Sequence, residues 1–154
     1  MMKALLNAIL NDDRSAAREL LRKDPSLPAA RVSEAKLYES GILHWLYAND
    51  SALHLAAAGH RVQMVEILLR AVPHLLHAGA KPTARNHSGA TPFHLAVQNT
   101  GRGGSGDETA KTAQHQIIEA MLAHGASPLM RDDRGLSVLD WVKSGWIREL
   151  IVDG

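Results

Sequence analysis

The stretch Thr91-Pro92-Phe93-His94-Leu95-Ala96 decides the fold of this chain of 154 residues. It aligns without gaps with two others, Ser51-Ala-Leu-His-Leu-Ala-Ala-Ala58 and Ser137-Val-Leu-Asp-Trp-Val-Lys-Ser144. Each of the three opens with a hydroxyl residue, which favours a helix start because its oxygen accepts hydrogen bonds from the first helical turn. The alignment therefore predicts a chain built from repeated units.

A second apolar segment follows the first in each of the central units. Met64-Val-Glu-Ile-Leu-Leu69 is similar to Ile117-Ile-Glu-Ala-Met-Leu122. These segments are followed by Gly79-Ala-Lys-Pro82 and Gly125-Ala-Ser-Pro128. The predicted unit is a helix, a short turn, a second helix and a loop that contains glycine and proline.

These motifs resemble the ankyrin repeat. Thr91–Ala96 matches that family's Thr-Pro-Leu-His-x-Ala motif, and the Gly-Ala-x-Pro loops match its inter-repeat finger. The resemblance implies an all-α solenoid of antiparallel helix pairs in a single domain. We expect four repeats, of which the degenerate first and last act as caps, at approximately residues 3–27, 50–80, 90–126 and 136–152.

The resemblance also implies roles for the residues of the motif. Ser51 and Thr91 would cap their helices, with Pro92 as part of the motif, while His54 and His94 would join neighbouring repeats by hydrogen bonds to backbone. Because these residues recur in tandem, we interpret them as structural. The sequence contains no Ser-His-Asp order, zinc-binding helix motif or phosphate loop, so we expect neither an enzyme nor a bound cofactor or metal.

Three insertions distinguish the chain from a regular array of these repeats. The equivalent positions Leu6, His54, His94 and Asp140 are 48, 40 and 46 residues apart, whereas the family period is about 33 residues. The excess residues are expected at approximately 28–49, 72–78 and 99–113.

The first insertion contains Tyr38, Trp45 and Tyr47, half of the aromatic residues in the chain. Tryptophan and tyrosine dominate binding hot spots, so these rings are candidate anchors for a partner. The alternative is that they pack the insertion back onto the first repeats.

The other two insertions contain motifs for small ligands. If a helix restarts after Pro73, His74 and His77 lie one turn apart, but two imidazoles alone are an incomplete metal site, and a solvated pair is the alternative. Residues 101–106 match G-x-G-x-x-G, which binds phosphate only between a strand and a helix. Here a helix over Pro92–Asn99 precedes the glycines and Ser105–Glu108 forms a capping box, so we expect a flexible loop leading into a helix from about residue 106 to 124.

The resemblance places the protein-binding face on the finger tips and on the exposed side of each first helix. The candidate binding residues are Trp45, Tyr47, Asp50, His87, Ser88, Ala90, Gln98, Asn99, Asp133, Arg134 and Leu136. We expect a non-catalytic protein–protein interaction scaffold with an unidentified protein partner. A small-molecule or metal-binding regulatory domain is the alternative.

Composition excludes several other classes. The 17 basic and 16 acidic side chains nearly cancel, which argues against nucleic acid as a partner. The absence of cysteine rules out disulfides, thiolate zinc sites and cysteine nucleophiles. No apolar run approaches the ~20 residues that span a bilayer, so no membrane association is expected. We expect a cytoplasmic monomer.

Overall fold

The computed structural model describes residues 1–33, 36–37, 45–46, 48–70, 81–98 and 108–153. The helices in this part of the chain are α1 (Met2–Leu10), α2 (Arg14–Lys23), α3 (Ala52–Ala58), α4 (Val62–Arg70), α5 (Pro92–Ala96), α6 (Glu108–Ala123), α7 (Val138–Trp141) and α8 (Gly145–Asp153). A short 3-10 helix spans Leu27–Ala29, and two short strands are β1 (Lys36–Leu37) and β2 (Trp45–Leu46).

The helices stack in two layers. In one layer α1 packs against α3, α3 against α5 and α5 against α7, while in the other α2 packs against α4 and α4 against α6. The two layers meet where α1 contacts α2, α3 contacts α4 and α5 contacts α6. A helix pair cannot bury its apolar face alone, and stacking several pairs builds one continuous core.

The core lies between the two layers and receives side chains from every repeat. Its largest completely buried members are Leu5, Ile9, Leu53, Leu55, Met64, Leu68, Phe93, Ile117, Ile118, Met121 and Ile147. Burying a side chain of this size stabilises a fold by roughly 1.5–3 kcal/mol relative to its exposure to water. Stability is therefore distributed along the stack.

Three first helices begin where the sequence predicts. Ser51, Thr91 and Ser137 each accept a hydrogen bond from the backbone N–H three residues further on. The side chain of that third residue accepts one from the backbone N–H of the capping residue. These reciprocal bonds satisfy donors that a helix start leaves unpaired.

Helix α5 is shorter than predicted, because it ends at Ala96 rather than at Asn99. Gln114 on α6 is buried and donates from Nε2 to the carbonyl oxygens of Ala96 (2.9 Å) and Gln98 (2.8 Å). Since α6 supplies these bonds, the carbonyl groups at the end of α5 are paired without another helical turn.

The first insertion lengthens a finger. An isolated β-bridge joins Arg131 to Ser137 across one finger. The corresponding bridge in the first finger joins Arg31 to Ser51, and the sequence separation of this pair is fourteen residues greater. Strands β1 and β2 pair antiparallel inside this longer segment. The inserted residues thus extend an existing hairpin.

Several predicted features lie outside the described residues. They are Tyr38, Tyr47, the side chain of Trp45, the second insertion with His74 and His77, Asn99 and the glycine-rich segment 101–106. Helix α6 begins at Glu108, so residues 108–113 of the predicted third insertion are helical.

Candidate functional site

His54 connects two successive helix pairs. Its Nδ1 accepts a hydrogen bond from the backbone N–H of Ser51 (3.1 Å), and its Nε2 lies 2.9 Å from the carbonyl oxygen of Ala90 in the next repeat. A ring nitrogen that accepts from an amide carries no proton, so the proton is on Nε2, which donates to the carbonyl. One neutral tautomer therefore satisfies both contacts.

His94 makes the same two contacts, with the backbone N–H of Thr91 (3.1 Å) and the carbonyl oxygen of Leu136 (3.1 Å). The side chain is completely buried. Burial lowers the pKa of His94, and the Leu136 carbonyl and the Asp132 carboxylate only partly oppose this effect. His94 is therefore neutral at pH 7.

Asp140 occupies the equivalent position in the fourth helix pair. Its Oδ2 accepts hydrogen bonds from the Ser137 N–H (2.8 Å) and hydroxyl (3.0 Å). These bonds hold the pKa of the Asp140 carboxyl below its usual value. A carboxylate reproduces the capping half of the histidine's role but has no donor with which to join a further carbonyl group.

Two fingers are shaped by the side chains of Asn86 and Asp132. Asn86 Oδ1 accepts hydrogen bonds from the backbone N–H groups two and four residues further on, each at 3.0 Å. Asp132 Oδ1 makes the equivalent pair of bonds at 2.9 Å. The turns that these bonds enclose contain Gly89 and Gly135, whose φ angles of 78° and 79° favour glycine. The finger tips are therefore held in a fixed conformation.

Three arginines at equivalent finger positions, Arg31, Arg85 and Arg131, form an arginine ladder across neighbouring fingers. Arg31 Nη1 donates to the carbonyl oxygens of Asn49 in its own finger (3.0 Å) and of Arg85 in the next (3.1 Å). Arg85 Nη1 likewise donates to a carbonyl oxygen of its own finger (3.2 Å) and to the carbonyl oxygen of Arg131 in the next finger. Arg131 Nη1 donates to a carbonyl oxygen of its own finger at 2.6 Å. Sequence reasoning missed this ladder, although Arg85 and Arg131 stand four residues before a finger glycine.

The candidate binding residues differ in exposure. The exposed ones are His87, Ser88, Gln98, Asp133 and Arg134, and Leu136 is half-buried. Asp50 and Ala90 are completely buried. The side chain of Trp45, Tyr47 and Asn99 lie outside the described residues.

The expectation that Asp50 belongs to the binding face is corrected by its burial. Its Oδ1 accepts a hydrogen bond of 3.0 Å from Nδ2 of Asn86 in the following finger. A buried carboxylate needs such a donor because it has lost its hydration. Asp50 therefore holds two fingers together, and Ala90, whose carbonyl receives the bond from His54, is likewise interior.

One cleft of about 630 Å³ lies between the third and fourth helix pairs on the face formed by the fingers and the first helices, here called the finger face. We call it the Trp141 cleft; it is lined by Gln98, Arg134, Leu136, Asp140, Trp141 and Lys143. Three of these residues, Gln98, Arg134 and Leu136, are among those predicted from the sequence.

Trp141 is fixed in place by two neighbours. Its Nε1 donates to Oδ2 of Asp132 (3.0 Å), and its ring meets the His94 ring edge-on, with centroids 5.1 Å apart and planes at 71°. Burial alone would raise the pKa of Asp132, but hydrogen bonds from the Leu136 N–H, the indole and the Arg134 N–H lower it overall. An ionised Asp132 thus orients the indole.

Sequence reasoning missed Trp141 and Lys143. In the repeat alignment they correspond to Leu95 and Val97, which are both buried in the third helix pair. An aromatic ring and a lysine at positions that are otherwise aliphatic were the available signal. No further helix pair of the described chain covers α7, so these side chains line a cleft.

Two further features of the described residues concern metal binding and membrane crossing. Within the described ranges, no group of three or more histidine, aspartate or glutamate side chains is arranged to hold a metal ion. None of the helices described here is both long and apolar enough to cross a membrane.

Comparison with known proteins adds independent support. The sequence model of the ankyrin repeat family matches residues 48–87 and 88–133. A segment of 69 residues, 45% of this chain, is 38% identical to an ankyrin repeat-containing protein of Treponema pallidum (strain Nichols) and covers 19% of that protein. The predicted resemblance is confirmed.

The crystal structure of the ankyrin repeat domain of Bcl-3, a member of the IkappaB protein family, is similar to this chain with a TM-score of 0.68. The match covers 97% of this chain and 50% of that one at 16% identity. The likeness confirms the predicted all-α solenoid. The chain spans half of the Bcl-3 chain and about a fifth of the Treponema protein.

Proposed function

Because this chain belongs to the ankyrin repeat family, we propose that it is a non-catalytic scaffold that binds a protein partner through its finger face, centred on the Trp141 cleft. Ankyrin repeats generally mediate protein–protein interaction. The observation that carries the proposal is the convergence of Gln98, Arg134 and Leu136 on one cleft beside Trp141.

The Trp141 cleft has the chemistry of a binding hot spot. Tryptophan and arginine are enriched among residues that contribute most to protein association. Trp141 is already oriented by Asp132 and His94, so binding would immobilise little additional side-chain freedom. The rigid indole supports a role as an anchor.

Charges around the cleft would select the partner. Arg134 and Lys143 are exposed cations that line it, with Arg134 3.5 Å from the Asp132 carboxylate, and the half-exposed carboxylate of Asp140 adds one negative charge. Exposed charges at a rim mainly affect the rate and selectivity of association. We therefore expect the partner to present acidic or amide groups to Arg134 and Lys143.

The lengthened finger would supply a second contact. Strand β2 carries Trp45 and lies within the inserted part of that finger. We propose that Trp45 and Tyr47 extend the binding face, as the sequence suggested, and that the protein acts as a cytoplasmic monomer. Substituting both with alanine should weaken partner capture while the circular dichroism spectrum stays unchanged.

One hydroxyl–histidine pair in the described part of the chain resembles a nucleophile with its base, but its surroundings argue against catalysis. Ser51 Oγ and His54 Nδ1 are 2.9 Å apart, a distance suited to a nucleophile and its base. Both side chains are buried, and His54 Nε2 is engaged by Ala90. No substrate could reach this pair, so capping accounts for it.

Site-specific photo-crosslinking tests the proposed face. A photoreactive residue at Gln98 or Lys143 should give adducts with one protein from the native host, and the same residue at Arg18 on α2 should not. Purified partner should then bind K143E at least tenfold more weakly than wild type, with K111E as the matched control. Equal adducts from Arg18, or unchanged affinity of K143E, would refute the assignment.

A further inference from the structure

The arginine ladder presents the same unused edge in each of its three members. Within the described part of the chain, every side-chain hydrogen bond of Arg31, Arg85 and Arg131 is donated by Nη1. A guanidinium group carries its donors in a planar fork, so Nε and Nη2 together form the remaining edge. Two parallel N–H groups on one edge are the arrangement that binds a carboxylate bidentately.

The guanidinium groups of the ladder are both accessible and held in place. All three arginines are exposed, and the side chain of Arg131 is 64% exposed. The Nη1 bonds of Arg31 and Arg85 reach the carbonyl oxygen of the next arginine in the ladder, and Arg131 is bonded to its own finger. Because these bonds already restrict the side chains, less entropy is lost when a partner binds.

The acidic residues of the fingers leave the Nε–Nη2 edges available. Asp50 and Asp132 are buried and accept hydrogen bonds from neighbouring side chains. Asp133 and Asp140 are exposed, and Asp140 Oδ2 lies 3.7 Å from Nη1 of Arg131, the nitrogen that also donates to the finger. Among the described residues, therefore, no carboxylate is bonded to the Nε–Nη2 edge of a ladder arginine.

Exposed cations predominate on the finger face. Arg134 and Lys143 are exposed in addition to the three ladder arginines, whereas the exposed carboxylates of the described fingers and first helices on this side are Asp133 and Asp140. Complementary charge steers association and suppresses partners of the wrong sign. The face therefore favours an anionic partner.

The stacking of the repeats sets the spacing of the ladder. Arg31, Arg85 and Arg131 precede α3, α5 and α7, which pack in succession. Helices in contact lie roughly 8–10 Å apart, so the arginines recur at about this interval. A polyproline II segment has three residues per turn and rises about 3.1 Å per residue, which places every third side chain on one side, about 9 Å apart. The two periods match.

We propose that the arginine ladder binds an extended acidic segment of a partner protein, in which a glutamate or aspartate recurs at every third residue. Each carboxylate accepts from the Nε–H and the Nη2–H of one arginine. This role depends on the proposed protein-binding function of the finger face and specifies the chemistry of the partner. Asp140 lines the Trp141 cleft and lies beside Arg131, so the ladder is continuous with that cleft.

Titration of the full chain with labelled synthetic peptides tests the proposal. The first peptide contains three Glu-Pro-Pro units, which place a carboxylate at every third residue of a polyproline II helix. The second has the same composition with its three glutamates adjacent, and the third has glutamine in place of glutamate. The readouts are the Nε–H resonances of the ladder arginines and the fluorescence anisotropy of the peptide. The first peptide should shift all three resonances and bind at least tenfold more tightly than the other two.

Lysine variants locate the binding. R85K keeps the charge but lacks the bidentate edge, so its affinity for the Glu-Pro-Pro peptide should fall at least fivefold. Because Arg85 also bonds two fingers together, R131K serves as a second variant, since the bond of Arg131 lies within its own finger. The matched control is R18K, at an exposed position of α2 in the other layer, which should bind as wild type does.

The outcomes separate the ladder from the wider protein-binding role. Equal affinity for spaced and adjacent glutamates refutes the proposed spacing, and undiminished binding to R85K and R131K refutes the proposed site. Oligothymidylate that displaces the peptide at equal concentration refutes the choice of a protein segment over nucleic acid. If no peptide binds while photo-crosslinking at Gln98 still captures one protein, the ladder is not the docking site and the proposed function stands. If crosslinking fails as well, both proposals fail.

Discussion

His94 Nε2 donates a hydrogen bond of 3.1 Å to the carbonyl oxygen of Leu136, 42 residues further along the chain. The bond ties the third helix pair to the finger of the fourth, as His54 ties the second to the third through Ala90. In a solenoid each repeat contacts only its neighbours, so stability depends on such nearest-neighbour joints.

Replacing His94 separates its capping role from its joining role. H94L should lower the free energy of unfolding by about 3 kcal/mol, since the Thr91 N–H and the Leu136 carbonyl each lose a partner, at roughly 1–3 kcal/mol per buried group. H94N should lower it by about half as much, because its side-chain oxygen can still accept from Thr91, as Asp140 accepts from Ser137. Equilibrium urea unfolding measures both.

The control for these variants is H87N in an exposed finger position, where the expected change is within about 0.5 kcal/mol. Equal losses from H94L and H94N would contradict the separation of the two roles.

Mild acid should destabilise the protein as the pH falls below about 6.5. Burial lowers the folded-state pKa of His94 and His60 below the ordinary histidine value of about 6.5. The unfolded chain then binds more protons than the folded one in this window. Stability is therefore fully present above about pH 6.5 and lost as pH falls below it, by up to about 1.4 kcal/mol per pH unit for each histidine. Thermal unfolding at graded pH measures the loss.

The H94N variant supplies the comparison, because it lacks one of the two titrating groups and its unfolding midpoint should depend less steeply on pH. The lowered pKa of Asp132 and of Asp140 affects stability in a separate window below about pH 4. An unfolding midpoint that rises on acidification from 7.5 to 5.5 would refute this prediction.

Gly89 should be less replaceable than Gly125. Both have positive φ angles, of 78° and 86°, so alanine costs roughly 1–2 kcal/mol at either position. A Cβ at Gly89 would also lie 2.7 Å from the backbone nitrogen of Asp133 and collide with its carboxylate, whereas one at Gly125 meets nothing within 4 Å. Urea unfolding should show Gly89→Ala to be the more damaging by at least about 1 kcal/mol. Equal losses would mean that finger stacking is not tight there.

The starts of the first helices could be predicted because they depend on local chemistry. Thr91 and Ser51 cap helices through bonds to residues three positions away, and an alignment of repeats reveals that pattern. The hairpin β1–β2 could not be foreseen, since its pairing depends on how the inserted residues fold back within one finger. The alignment located the extra residues without giving their conformation.

The candidate site was predictable only in part, because its residues are set by contacts between repeats. Asp50 occupies a finger in the sequence, yet Asn86 of the next finger covers it. Conversely, Trp141 aligns with buried Leu95 but lines a cleft, since no described helix pair packs over it. Exposure in a stack depends on the neighbouring repeat, which a single unit does not encode.

Gln114 connects the stability of α5 to the Trp141 cleft. Gln114→Leu leaves the carbonyl oxygens of Ala96 and Gln98 without their donors, so unfolding should require about 2 kcal/mol less free energy. Amide hydrogen exchange at Gln98 should also accelerate, because the end of α5 loses its support. Gln116→Leu, at an exposed position of the same helix, should change neither quantity. Since Gln98 lines the cleft, Gln114→Leu should weaken partner binding as well. A loss of stability with unchanged amide exchange at Gln98 would contradict this link, because Gln114 would then act only through the core.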